Sequence, residues 1–196
     1  MKKLLVATRN KGKMKEIEAL LDGLIDKVFS ISDFPELPET VENGATFSEN
    51  ALKKARDAFN ATGLAVIADD SGLIVESLDG RPGVFSARFA GTDADDSANN
   101  KKLLDELKAV PETCHKAAFI CSLAYISEEG LEMIFEGILS GSIVEHPKGE
   151  NGFGYDPLFL VDGYRQTMSE LSIEEKNRIS HRAQALKAFR EYLADK

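Results

Sequence analysis

The sequence predicts an α/β fold built on a mixed sheet. Short apolar runs alternate with amphipathic segments of helical period, as in residues 3–8 followed by 11–22. The apolar run Leu64–Ala68 reads as a buried strand. Residues 116–127 and 131–140 read as two strands joined by the hairpin-like turn Ser127-Glu128-Glu129-Gly130. Alternating βα units together with a hairpin make the sheet mixed rather than purely parallel.

The elements follow in order. Residues 3–8 form a strand that breaks off in Thr8-Arg9-Asn10-Lys11-Gly12-Lys13. The helix 11–22 then carries Met14, Ile17, Leu20 and Leu21 on one face, and 27–31 form a short strand. Phe34 to Glu42 is a proline-rich, acidic surface connector. Thr46 is the N-cap of the next helix, with Glu49 completing a capping box. Phe47, Ala51, Ala55 and Phe59 recur along it, and Gly63 ends it. Leu64–Ala68 and Gly72–Leu78 are strands, with Asp69-Asp70-Ser71 between them, and Asp79-Gly80-Arg81-Pro82-Gly83 is a turn. A polar helix over 95–108 turns Leu103, Leu104 and Leu107 inward, and Gly149–Gly154 is a loop. Residues 174–178 form one helical turn, and a last helix over 181–194 carries Ala185, Leu186, Phe189 and Leu193.

A chain of 196 residues, 43% of them hydrophobic, is long enough for one domain with its own core, plain or two-lobed. A net charge of −9 argues against a nucleic-acid groove. It leaves room for a small anionic substrate met by local cations, with a divalent metal to screen like charges. The two cysteines, Cys114 and Cys121, form no CxxC pair and read as free thiols buried in strands. The three histidines are scattered, which argues against zinc. No signal-like segment or bilayer-length apolar run is present, so a soluble cytoplasmic protein without membrane contact is expected.

The first turn has the makings of a polyphosphate site. Helix N-termini offer unpaired N–H donors, and Thr8, Asn10, Lys11 and Lys13 add more. The spacing is not that of a Walker A loop, and a solvated βα turn is the plainer reading. Asp69 and Asp70 are costly at the end of a buried strand unless used. Alternation sends them to opposite faces, although an Asx-turn would also explain them. Glu42, with an Asp of that pair, offers hard oxygens for Mg²⁺. Asn50 and Lys54 share a helix face. Phe153-Gly154-Tyr155-Asp156 can stack a base and accept from its ring N–H, or form an ordinary turn. Lys176 and Ser180-His181-Arg182 supply further donors, or simply a charged helix start.

Together these segments resemble the Ham1/inosine triphosphate pyrophosphatase family. The matching blocks are Ala7–Lys13, Glu42–Ala51, Ala68–Leu73, Gly80–Arg88, Gly152–Pro157 and Ser180–Arg182, in order over nearly the whole chain. The resemblance implies an elongated mixed sheet with flanking helices, two lobes enclosing a nucleotide cleft, and one catalytic domain over residues 1–196. It implies a homodimer that hydrolyses ITP, dITP or XTP at the α–β linkage, releasing the monophosphate and pyrophosphate. Asp70 would be the general base, and Glu42 and Asp70 would hold Mg²⁺. Thr8, Arg9, Asn10, Lys11, Gly12, Lys13, Lys54 and Ser71 would bind the triphosphate. Phe153 would stack the base, with Gly154, Tyr155, Asp156, Lys176, His181 and Arg182 around base and sugar. A donor such as Arg182 aimed at the 6-oxo group would favour hypoxanthine and xanthine over adenine.

Overall fold

A computed structural model describes residues 3–195; of the expected 1–196 span, residues 1, 2 and 196 lie outside the described residues. The strands are β1 (Lys3–Val6), β2 (Lys27–Ser30), β3 (Val66–Val75), β4 (Lys116–Ile126), β5 (Glu132–Ile143) and β6 (Phe159–Val161). The helices are α1 (Lys11–Leu21), α2 (Phe47–Thr62), α3 (Asp96–Leu107), α4 (Ile173–Ile179) and α5 (His181–Ala194). The sheet runs β2-β1-β3-β4-β5-β6. β1 is parallel to β2 and β3, and β5 is antiparallel to β6, so the sheet is mixed as expected.

The chain divides into two compact units. The first holds the described residues up to Asp70, Cys121–Gly137 and the chain from Arg182 on. The second holds Ser71–Ile120 and Ile138–His181. In the first unit the period of two along β1 and β3 sorts the core. Leu4, Val6, Ala65 and Ile67 pack with Ile17 and Leu21 of α1 and with Ala185, Leu186 and Phe189 of α5. Leu5, Ala7, Val66 and Ala68 pack with Ala51, Ala55 and Ala58 of α2. In the second unit Leu73 and Val75 of β3 join Leu103 and Leu107 of α3, Phe119 of β4 and Phe159 of β6.

α2 begins at the N-cap Thr46, whose side chain accepts from the Glu49 N–H, and ends on Gly63 at φ +65°. The capping box is shifted: the Glu49 carboxylate takes the N–H of Ala45 at 2.6 Å. The expected break at Asp69–Ser71 does not occur, because β3 is one continuous strand through Asp69-Asp70-Ser71-Gly72 and ends at Val75. Asp, Ser and Gly are poor strand formers. Cationic partners on each face compensate the two carboxylates there, as described below. The 174–178 turn extends into α4, β6 follows the glycine loop, and a 3₁₀ segment spans Gly83–Arg88. Cys121 is buried in β4, but Cys114 is exposed at the end of a 3₁₀ turn.

Two glycines separate backbone strain from collision. A Cβ at Gly63 would meet nothing within 4 Å, whereas one at Gly141 would lie 2.3 Å from the Leu160 carbonyl oxygen. Gly63→Ala should therefore lower stability by about 1 kcal/mol through its positive φ alone. Gly141→Ala, on the edge where β5 meets β6, should cost about 1–3 kcal/mol by overpacking. Urea denaturation of both variants checks this order.

Candidate active site

The sorting along β3 governs the site in the first unit. Asp69 continues the face of Ala65 and Ile67, towards α1 and α5; Asp70 continues the face of Val66 and Ala68, towards α2. Their environments differ accordingly.

Asp69 is 1% exposed. Its Oδ2 accepts from Lys13 Nζ at 2.9 Å and from Arg182 Nε and Nη2 at 3.2 Å each. Arg182, itself 2% exposed, gives its Nη1 to Glu16, one turn beyond Lys13 on α1. Burial alone would push the Asp69 carboxyl up, but the cations Lys13, Arg182 and Lys54 hold it far below the usual carboxylate range. Burial opposes the Arg182 charge, and Asp69 and Glu16 reverse that and hold it firmly.

Asp70 accepts from Lys54 Nζ at 3.0 Å through Oδ1 and from Asn50 Nδ2 at 3.2 Å through Oδ2. Asn50 is fully buried, and its own amide oxygen is fixed by the Gly44 N–H at 2.8 Å. Glu42 reaches the same Lys54 ammonium at 3.2 Å. Burial raises the Asp70 carboxyl, Lys54 and Lys13 pull it down, Glu42 pushes it up, and the net direction is upward. Lys54 is shifted up: burial opposes its charge, but Asp70, Asp69 and Glu42 outweigh it. Asp70 is thus a hydrogen-bonded carboxylate made more basic than usual, and it shares a cation with a second carboxylate. Glu42 and Asp70 converge on the Lys54 ammonium, and their carboxylates are the hard oxygen donors here that could hold a divalent cation. Among the described residues no group of three or more His, Cys, Asp and Glu side chains could hold a metal unaided.

The first turn is more self-satisfied than its sequence suggests. The Asn10 side chain caps α1, accepting from the N–H groups of Gly12 at 2.8 Å and Lys13 at 3.0 Å. The Thr8 hydroxyl accepts from the Asn10 N–H at 3.3 Å. Arg9 donates to the Leu37 carbonyl at 2.8 Å, pinning the proline-rich connector. Lys11 is exposed. Ser71 is half-buried in β3, where the second unit begins.

The second unit holds the aromatic loop. Asp156 Oδ2 accepts from the Phe153 N–H at 3.1 Å and from Lys176 Nζ at 2.7 Å. That ammonium lies 5.4 Å from the centre of the half-buried Phe153 ring. Gly152 permits this closure, since a Cβ there would sit 2.1 Å from Asp156 Oδ2. Tyr155 OH donates to the Ser86 carbonyl at 2.8 Å, and burial first and Asp96 second raise its phenol well above the usual value. His181 stacks on Phe119 with centroids 5.0 Å apart.

Arg182 differs most from expectation. Each guanidinium nitrogen donates to a carboxylate of the first unit, so the side chain is part of the Asp69 network. The backbone amides of Phe153, Gly154 and Asp156 are also already bonded. The sequence left two members of the site without a role. Glu16 sits i+3 from Lys13 on the same helix face, a spacing that marks it. Asn50 carries no charge, and its i, i+4 spacing to Lys54 was the only signal.

Two carboxylates beside half-buried lysines at the middle of a parallel strand, behind a capped βα turn, define a hydrolase-type site for phosphorylated substrates. The chain belongs to the Ham1 family, whose match spans residues 4–192. It is 54% identical to a dITP/XTP pyrophosphatase of Geobacter sulfurreducens over 98% of this chain and 97% of that one. A dITP/XTP pyrophosphatase of Bacillus cereus is 48% identical over 100% of this chain and 96% of its own. The structure of a HAM1 protein from Coxiella burnetii superposes with a TM-score of 0.91 at 41% identity, covering 100% of both chains.

Asp69→Asn removes the anion between the buried Arg182 and the half-buried Lys13 and should lower stability at pH 7 by about 3–5 kcal/mol. Because the folded-state value is depressed, the carboxylate's contribution is present above the unfolded value of about 3.9 and is lost as pH falls below it. Thermal melts of the metal-free protein from pH 7 to pH 3 should show the gap between wild type and variant closing in the acid range.

Proposed function

We propose that this chain hydrolyses purine nucleoside triphosphates with a non-standard base, dITP, ITP and XTP, to the monophosphate and pyrophosphate. The observation that carries the proposal is the Asp70 carboxylate, raised in basicity, oriented by Asn50 and Lys54, and sharing a cation position with Glu42. The identity to dITP/XTP pyrophosphatases over the full chain supports it.

In the reaction, water attacks the α-phosphorus while Asp70 takes its proton. The bond between the α-phosphorus and the bridging oxygen breaks, and the electron pair leaves with pyrophosphate. Asn50 and Lys54 hold the carboxylate in place, and Lys54 and Lys13 place positive charge beside the departing anion. Thr8, Lys11 and Ser71 are the other candidates for phosphate contact. Asn10, Gly12 and Arg9 act through the shape of the turn and the connector. Glu42 and Asp70 would hold Mg²⁺, which when bound neutralises charge on the phosphate oxygens.

In the second unit Phe153 is proposed to stack the base. Lys176, whose ammonium lies beside that ring, is the donor best placed for a 6-oxo group, and adenine would face it with an amine instead. His181 and Asp156 shape this pocket from fixed positions. The whole chain is proposed to act as one catalytic domain, supported by a single family match from residue 4 to 192. Its substrates belong to the nucleotide pool, so we place its work in the cytoplasm. No helix among the described residues is long and apolar enough to cross a membrane.

With ITP and Mg²⁺ the products should be IMP and pyrophosphate, with EDTA abolishing turnover; orthophosphate as the sole phosphorus product overturns the proposal. Efficiency should rise with pH as the Asp70 carboxyl ionises. Asp70→Asn should cut turnover by roughly 10²–10⁴ while circular dichroism stays unchanged.

A homodimer is also proposed, supported by the 56% exposure of Phe85 beside Val84. Phe89, by contrast, is buried, with Lys102 Nζ 4.4 Å from its ring centre. Light scattering at micromolar concentration should give about twice the 21.5 kDa chain mass. A single-chain mass refutes this.

A further inference from the structure

The loop Gly152–Asp156 is held from outside by one face of α3. Asp96 Oδ2 accepts from the Gly154 N–H at 2.7 Å. Asn100 Nδ2 donates to the Gly154 carbonyl at 3.0 Å. Residues 96 and 100 stand four apart and so share a helix face. Together they grip the N–H and the C=O of one residue, Gly154, itself at φ +63°.

This grip is not a by-product of close packing. A cavity of about 860 Å³ runs along the same face of α3, lined by Leu104 and Val110 on one side and by Asn151, Phe153 and Pro157 on the other. A Cβ on Gly154 would meet nothing within 4 Å, so no side chain packs on that side of the residue and its two hydrogen bonds to α3 hold it. The cost of the arrangement is visible as well. The amide oxygen of Asn100 is buried without a hydrogen-bond partner. A leucine of similar volume would avoid that penalty, which leaves the Nδ2 bond to Gly154 as the contribution this side chain makes. Within the loop the Asp156 carboxylate and the Tyr155 hydroxyl fix the other residues, and Gly154 is the point left for α3 to hold.

We propose that Asp96 and Asn100 are positioning residues for base selection: their clamp on Gly154 sets the position of the Phe153 ring relative to Lys176. The proposal rests on the assignment of Phe153 as the ring that stacks the base. It predicts a specific kinetic signature, because Asp70 and the lysines Lys13 and Lys54 proposed to handle the phosphates belong to the other unit.

The test compares ITP, ATP and a base-free ribose triphosphate in wild type, Asn100→Leu, Asp96→Ala and Asp96→Asn. Asn100→Leu and Asp96→Ala should each narrow the ITP-to-ATP ratio of kcat/KM roughly 5- to 10-fold, chiefly through a higher KM for ITP. Turnover of the base-free substrate should not change. Asp96→Asn keeps an acceptor for the Gly154 N–H and should keep the wild-type ratio. An unchanged ratio in both disruptive variants, or an equal fall on all three substrates, overturns the proposal. If Asn100→Leu fails to fold, the Asp96 pair decides. If wild type releases no pyrophosphate from ITP, the proposed function falls and the clamp is judged by hydrogen exchange. The Gly154 amide should then exchange roughly 5- to 10-fold faster in the disruptive variants and not in Asp96→Asn, and unchanged exchange overturns the clamp.

Discussion

A carboxylate sealed from water can stay ionised only if cations are sealed in beside it, and Asp69 imposes that condition on much of the first unit. Lys13 must come from α1 and Arg182 from α5, and Glu16 must balance the charge that Arg182 brings in excess. Removing any one member leaves another uncompensated in a low dielectric, where the penalty is far larger than at a surface. The network therefore fixes where the first turn of α1 stands against β3, and with it the height of Lys13.

The neighbouring carboxylate shows the complementary use of burial. Asp70 is less enclosed than Asp69, and its cation is shared with Glu42. The same desolvation that is overwhelmed at Asp69 wins at Asp70 and leaves a carboxyl more ready to accept a proton. Two residues of one type, adjacent in the chain, thus take opposite electrostatic characters because a strand turns them to different helices. One is locked into an ion network as a firm anion, and the other is the readier proton acceptor.

Features encoded within a few residues were legible in the sequence. Thr46 and Gly63 bracket α2 as expected, the helix periods of α1, α3 and α5 hold, and the opposite orientation of Asp69 and Asp70 follows from the pleat. What could not be read was set by partners remote in sequence. The Asp-Asp-Ser-Gly segment has a turn-like composition, and only the cations on either face keep it in the ladder. Arg182, beside a histidine at a helix start, invites a ligand-facing role, and nothing local announces a carboxylate 113 residues earlier. The N-cap at Asn10 is another such case: its oxygen accepts from the Gly12 and Lys13 N–H groups that a bare helix start would offer to phosphate.

The span of that ion pair also bears on how the protein is made. Arg182 meets Asp69 across 113 residues and Glu16 across 166, so the network joins the two ends of the chain. While the nascent polypeptide is still being elongated, α1 and β3 have emerged but α5 has not. Asp69 then has Lys13 but lacks its second counter-charge, Arg182, and the apolar face later covered by Ala185, Leu186 and Phe189 stands bare. The first unit can close only after α5 has been made, so its assembly waits on a segment remote in sequence from β1, α1 and β3. A chain cut short before α5 would keep Asp69 and Lys13 but lose Arg182, one of the two cations that pair directly with the buried carboxylate.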